Sequence, residues 1–187
     1  SYDAVRALSQ MTRSDAVILL HVLEVPAPAY PMMMPEAAHD LSTIQERAMR
    51  EEGEHILEVA TSLLPLNAGP VSKFIEVGKT VDVILSIAEQ ERMDLIVIGA
   101  RGVGAIRELM LGSVSHRVAT HAASSVLVVG SPLRSVQHIV VAVERPEEAR
   151  AAVRFLEQRP FNESGDLTVL TVIPYAHPAW PAGAIIP

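Results

Sequence analysis

The stretch Asp94 to Gly130, DLIVIGARGVGAIRELMLGSVSHRVATHAASSVLVVG, constrains the fold of this chain more than any other. Leu95-Ile96-Val97-Ile98 is a short continuous apolar run, the pattern of a strand buried on both faces. It runs into Gly99, then Gly102, then Gly112-Ser113, where a helical pattern starts. Val126-Leu127-Val128-Val129 closes the unit as a second apolar strand. A glycine-rich loop between a strand and a helix can hold phosphates with backbone N–H groups at the helix N-terminus.

The remaining chain repeats the alternation. Tyr2 to Met11 has the pattern of a short amphipathic helix, and Ala16 to Val22 that of a buried strand. Val25 to Pro35 carries four prolines and predicts a loop, with Met32 to Met34 as a greasy contact surface or a lid. Asp40 to Leu64 predicts a long helix, its apolar face built from Ile44, Ala48, Ile56, Val59, Ala60 and Leu63. Pro65 and Asn67-Ala68-Gly69-Pro70 stop it. Val71 to Val77 is a strand pattern. Thr80 is placed to cap the next helix, whose core side is Val81, Ile84, Leu85 and Ala88. Strands alternating with helices at this spacing predict a parallel sheet with helices on both faces, and ligands at the C-terminal ends of the strands.

After Gly130 the pattern restarts. Ser131 to Val136 predicts a linker, His138 to Val143 a strand, Pro146 onward a helix, and Leu167 to Ile173 a last strand before a proline-rich tail. The order helix, aspartate, strand, proline-rich loop occurs twice, around Asp15 and around Asp166, which predicts an internal repeat.

Composition excludes several functions. A net charge of −7 and a pI near 5.5 argue against broad nucleic-acid binding, which needs a basic face. With no cysteine there is no disulfide, thiolate catalysis or cysteine-ligated zinc. No uninterrupted apolar segment has the length of a membrane span, so a cytoplasmic protein is the expectation.

The candidate residues have plain readings beside the functional ones. Gly99 and Gly102 alone fit turn residues. Gly112-Ser113 opening a helix after them shifts the reading toward phosphate binding. Ser113 also fits a simple N-cap, a role compatible with binding phosphate when one is present. Arg101 and Arg107 are either phosphate partners or solvated surface groups. No Gly-x4-Gly-Lys-Ser/Thr occurs, so the chain is no P-loop motor or kinase. The gaps between Gly99, Gly102 and Gly104 reverse the order of a dinucleotide fingerprint. His116 and His121 stand five apart, which does not make a zinc pair on one helix face. His21 fits a satisfied core histidine. No Ser-His-Asp triad is defensible.

The spacing Gly99-x2-Gly102-x9-Gly112-Ser113, with its flanking strands, resembles the signature of ATP-binding universal stress proteins. The likeness covers Ser1 to about Ser131, and a partial second copy begins near Gln137, so the implied domains are 1–131 and 137–187. The resemblance implies an α/β, parallel-sheet, Rossmann-like fold of the adenine nucleotide alpha hydrolase-like type. It implies ATP, with or without Mg2+, as the ligand. Val22 would touch adenine; Gly99 and Gly102 would border ribose and phosphates. Gly112 and Ser113 would hold the phosphates through backbone N–H groups and the Ser113 hydroxyl, with Ser115 as a weaker candidate.

That family's pattern opens with a strand ending in a nucleotide-contacting aspartate, and here the likeness begins at the helix that follows. The first copy is therefore expected to lack its first strand, as in an internal piece of a tandem protein or one missing its N-terminal end. The alternative is that His138 to Val143 fills the vacant position, within the chain or by exchange between chains. Otherwise the sheet must rearrange, since a missing central strand leaves unpaired edges. The implied role is a stress-response sensor or regulator acting through nucleotide-dependent conformation and dimerisation, as a homodimer or a tandem pair joined at Val126–Val129. It implies no nucleic-acid or membrane partner. The phosphates would lack a P-loop lysine and a magnesium carboxylate, so slow hydrolysis or none is expected. The alternatives are a non-nucleotide interaction module of the same fold and a slow ATP hydrolase.

Overall fold

The computed structural model describes residues 2–25, 35–100, 111–162 and 165–171. Two compact units divide the chain, Ser1–Arg134 and Ser135–Pro187. The first contains α1 (Tyr2–Ala7) with a 3-10 turn (Leu8–Gln10), β1 (Val17–Leu23), α2 (Pro35–Ser62), β2 (Val71–Val77), α3 (Thr80–Gln90), β3 (Leu95–Gly99), α4 (Ser113–His121) and β4 (Ser125–Val129). The second contains β5 (His138–Ala142), α5 (Pro146–Glu157) and β6 (Asp166–Leu170).

Among the described residues every strand pairs in parallel, as the alternation predicts. Among these residues the pairing is nevertheless divided into three two-stranded sheets, β1–β2, β3–β4 and β5–β6. β5 pairs with β6, His138 opposite Asp166 through Ala142 opposite Leu170. Among the described residues β1 and β3 are each paired on one side only. One consequence corrects the sequence reading. Leu95 to Gly99, a run apolar enough for burial on both faces, is only half-buried along its whole length.

One short helix serves both pairs of the first unit. Val5 and Leu8 pack against the cluster of Val17, Leu19, Leu57 and Ala60 on the β1–β2 side. Ala4 and Ala7 form a second cluster with Val129, joined by Val97, Leu127 and Leu133 on the β3–β4 side. Two small residues on one face and two larger ones on the other let α1 approach both half-sheets closely.

α2 starts at Pro35, earlier than expected, because proline is tolerated in the first turn of a helix. It ends in a tightening turn, Leu63 N–H to Ala60 O at 3.1 Å and Leu64 N–H to Thr61 O at 3.2 Å, just before Pro65. Its core stripe is Gly53, Leu57 and Ala60, whereas Ile44 is 67% exposed and Ala48 lies in solvent. The expected stripe is thus wrong in its first half, since its packing partners in β1 and β2 meet only the later turns.

Gly53 allows the close approach. A Cβ there would lie 2.7 Å from His21 Cδ2. His21 is accordingly half-buried against α2, and not the core histidine expected. The second unit has the same strand pairing with far less cover. No residue of α5 is buried, and Val140, Val153, Leu167 and Val169 are each more than half exposed.

Candidate functional site

The glycine-bearing segment leaves the β3–β4 pair and returns to it through a knot of hydrogen bonds. Ala100 N–H donates to Val129 O at 2.8 Å, extending the ladder one residue past Gly99. Gly112 N–H donates to Ala100 O at 2.6 Å, so the chain that departs at Ala100 is tied where it comes back. Gly112 is the extended N-cap of α4, φ −62° and ψ 155°, and its carbonyl accepts the first intrahelical bond from His116 N–H at 2.9 Å.

Two expectations are corrected here. The Gly112 N–H, expected to face a phosphate, is spent on Ala100. Ser113 is the first helical residue and not the cap, and no side chain among the described residues caps this helix. Among the described residues no partner closes the first turn. The amides of Ser113, Val114 and Ser115 have no intrahelical acceptor by helix geometry, and they sit at the positive end of the helix dipole. The Ser113 hydroxyl is exposed, and the first turn carries no acidic residue to repel an anion. This donor set fits a phosphate. Val118, fully buried one turn further on, fixes α4 in place.

Ser115 differs from its neighbours. It is 2% exposed, the buried polar residue among those described. Its Oγ lies 2.9 Å from Ala100 O and 3.0 Å from Gly112 O. Its hydroxyl is turned into the protein, away from any ligand at the open turn.

The structure therefore brings Gly99, Gly112, Ser113 and Ser115 into one corner. Val22, the candidate adenine contact, is half-buried at the C-terminal end of β1, paired opposite Glu76 in the other half-sheet. Gly102, Arg101 and Arg107 lie outside the described residues.

Sequence reasoning missed Ala100, whose carbonyl is the hub of the knot, and Glu24. Immediately after β1, the Glu24 carboxylate accepts both Thr80 N–H at 2.7 Å and Thr80 Oγ1–H at 2.6 Å. The expected cap by Thr80 is thus reversed: Lys79 is the N-cap residue, and Thr80 donates to a distant carboxylate. No local signal could reveal a partner 56 residues away. The Thr80 hydroxyl, then the Thr80 amide, hold the Glu24 carboxyl below its ordinary value.

His121 Nδ1 lies 2.8 Å from Arg117 O within its own helix, and no group of metal-ligating side chains occurs among the described residues. A shallow cavity of about 360 Å³ between α2 and β2 is lined by Arg50, Glu54, Leu57, Glu58, Lys73 and Ile75. Its two cations and two carboxylates balance, and it lies on the half-sheet opposite the corner. Among the described residues no helix is long and apolar enough to cross a membrane.

A parallel α/β unit whose glycine-ended strand leads to an open helix N-terminus defines a Rossmann-like class with anion-binding geometry. The chain belongs to the universal stress protein family, whose pattern matches residues 2–130. It is 31% identical over 130 residues to universal stress protein G of Escherichia coli O157:H7, a match covering 69% of this chain and 88% of that one. It is 35% identical over 81 residues to universal stress protein YxiE of Bacillus subtilis, covering 43% of this chain and 55% of the relative. A Thermus aquaticus universal stress protein is likewise matched over 62% of its length. The chain thus spans well under two thirds of YxiE and somewhat under two thirds of the Thermus relative. Among solved structures, hypothetical protein MJ0577 superposes with a TM-score of 0.56 at 26% identity, covering 68% of this chain and 84% of that one.

Proposed function

We propose that this chain binds an adenine nucleotide, ATP, at the β3–α4 corner and acts as a nucleotide-dependent regulator in the stress response, in the cytoplasm. The observation that carries this reading is the open first turn of α4, starting at Gly112-Ser113 directly beyond Gly99 in a chain of this family. The amides of Ser113, Val114 and Ser115 take phosphate oxygens, and the Ser113 hydroxyl adds a fourth donor. Gly99, with Gly102 of the same motif, borders the ribose and phosphates without a Cβ in the way. Val22 at the end of β1 meets the adenine.

The first turn of α4 supplies neither a lysine nor a carboxylate. This supports binding with slow hydrolysis or none, and magnesium, where it takes part, arriving with the phosphates. Occupancy biases conformation and, through it, association at Val126–Val129 as a homodimer or tandem pair, because a ligand shifts an equilibrium by its differential affinity for the two states.

The split sheet supports a second reading, an interaction module of the same fold. β1 and β3 are each paired on one side only among the described residues, and such edges accept an added strand.

Isothermal titration of ATP with magnesium decides between them. Micromolar binding that is lost in Gly112→Val supports the nucleotide site. Failure of the folded chain to bind supports the interaction module. Phosphate release that disappears in the same variant would mark a slow hydrolase.

A further inference from the structure

We infer that Ser115 is a positioning residue for the corner: its hydroxyl locks the departing strand end at Ala100 to the returning helix start at Gly112, and so aims the open amides of α4. The inference rests on the nucleotide reading for its consequence, but not for its geometry.

The geometry is specific. A serine hydroxyl has one proton, and two carbonyl oxygens compete for it, Ala100 O at 2.9 Å and Gly112 O at 3.0 Å. Those carbonyls belong to the two residues that Gly112 N–H to Ala100 O already joins at 2.6 Å. Each has another donor, Gly112 N–H for Ala100 O and His116 N–H for Gly112 O at 2.9 Å. The hydroxyl therefore rescues no orphaned acceptor. It adds a cross-link between the last residue before the span 101–110 and the cap that follows it.

Burial to 2% exposure shields this link from competing water. A bond that satisfies no otherwise unmatched group, yet ties both ends of the glycine segment, acts on the direction of the Ser113–Ser115 amides. Because the alanine variant leaves no unsatisfied carbonyl, it keeps the fold.

The test uses the full chain as parent, Ser115→Ala and Ser115→Thr, the last retaining the hydroxyl. Two readouts are taken: amide hydrogen exchange at Gly112 without ligand, and ATP affinity by titration. Exchange at Gly112 is expected to rise about tenfold in Ser115→Ala and the ATP Kd to weaken about tenfold, both returning to within about threefold of the parent in Ser115→Thr. A role confined to stability lowers the melting temperature and leaves the Kd of the folded protein unchanged, which overturns the inference. Unchanged Gly112 exchange in Ser115→Ala overturns it as well, whether or not ATP binds. A parent that takes up no ATP overturns the nucleotide reading together with the affinity part of the inference, and the exchange measurement then decides the clamp by itself.

Discussion

Glu24 holds the start of α3 from the end of β1, its carboxylate accepting the amide and the hydroxyl of Thr80 at 2.7 and 2.6 Å. Gly78 N–H donates to Leu23 O at 3.0 Å beside it, so the β2–α3 turn is tied twice to the strand end that carries Val22. Gly78 suits the turn: its φ is +156°, and a Cβ would lie 2.9 Å from Val83 Cγ2.

The lowered Glu24 carboxyl makes this contact pH-dependent. The folded state holds the carboxylate ionised where the unfolded chain would bind a proton. The contact therefore contributes fully above the ordinary value of 4.5 and fades as pH falls through the lowered one. Glu148, lowered by the Glu144 amide and then by Arg145, behaves in the same way at α5. Melting temperature followed across the acid range should fall less steeply in Glu24→Gln than in the parent, and the variant should start lower at neutral pH. An acid limb identical to the parent's would show that Glu24 is not tied to Thr80 in solution.

Two glycines are predicted to respond differently to alanine. At Gly53 the obstacle is the His21 ring, 2.7 Å from the added Cβ. Helix propensity favours the alanine by about 1 kcal/mol, and crowding costs about 1–3 kcal/mol. Gly53→Ala should thus cost about 1 kcal/mol alone and become stabilising in a His21→Ala background. At Gly69 the obstacles are the backbone carbonyls of Ser14 and Asp15, the latter 2.6 Å from the added Cβ. They cannot withdraw, because Val17 N–H is bonded to Pro70 O at 2.9 Å. Gly69→Ala should cost about 2–3 kcal/mol, with no relief from a side-chain deletion. Urea melts of the four variants check both statements. Equal costs at the two glycines would refute the distinction.

Leu23, 1% exposed, is one of the two largest fully buried side chains. Leu23→Ala should destabilise the first unit by about 3 kcal/mol through lost burial and the cavity left behind. Its strand partner Val77, 46% exposed, should tolerate alanine within about 0.5 kcal/mol. The midpoints of chemical denaturation should separate the two variants at a common slope.

The sequence by itself determined the order of helices and strands, the parallel pairing and the corner where Gly99 meets Gly112-Ser113. These follow from local pattern: apolar runs bounded by glycine and proline, and a 3.6-residue period between them. Tertiary structure decided how each group in that corner is used. It spent the Gly112 amide on Ala100, turned Ser115 inward, and gave α3 a cap from Glu24 rather than from Thr80. It also split the sheet, so that Leu95 to Gly99 is half-buried where its composition suits full burial. The physical reason is common to all four. Hydrogen-bond partners and burial are set by groups brought close in space from distant positions, and local spacing specifies which residues can donate or accept but not which partner arrives.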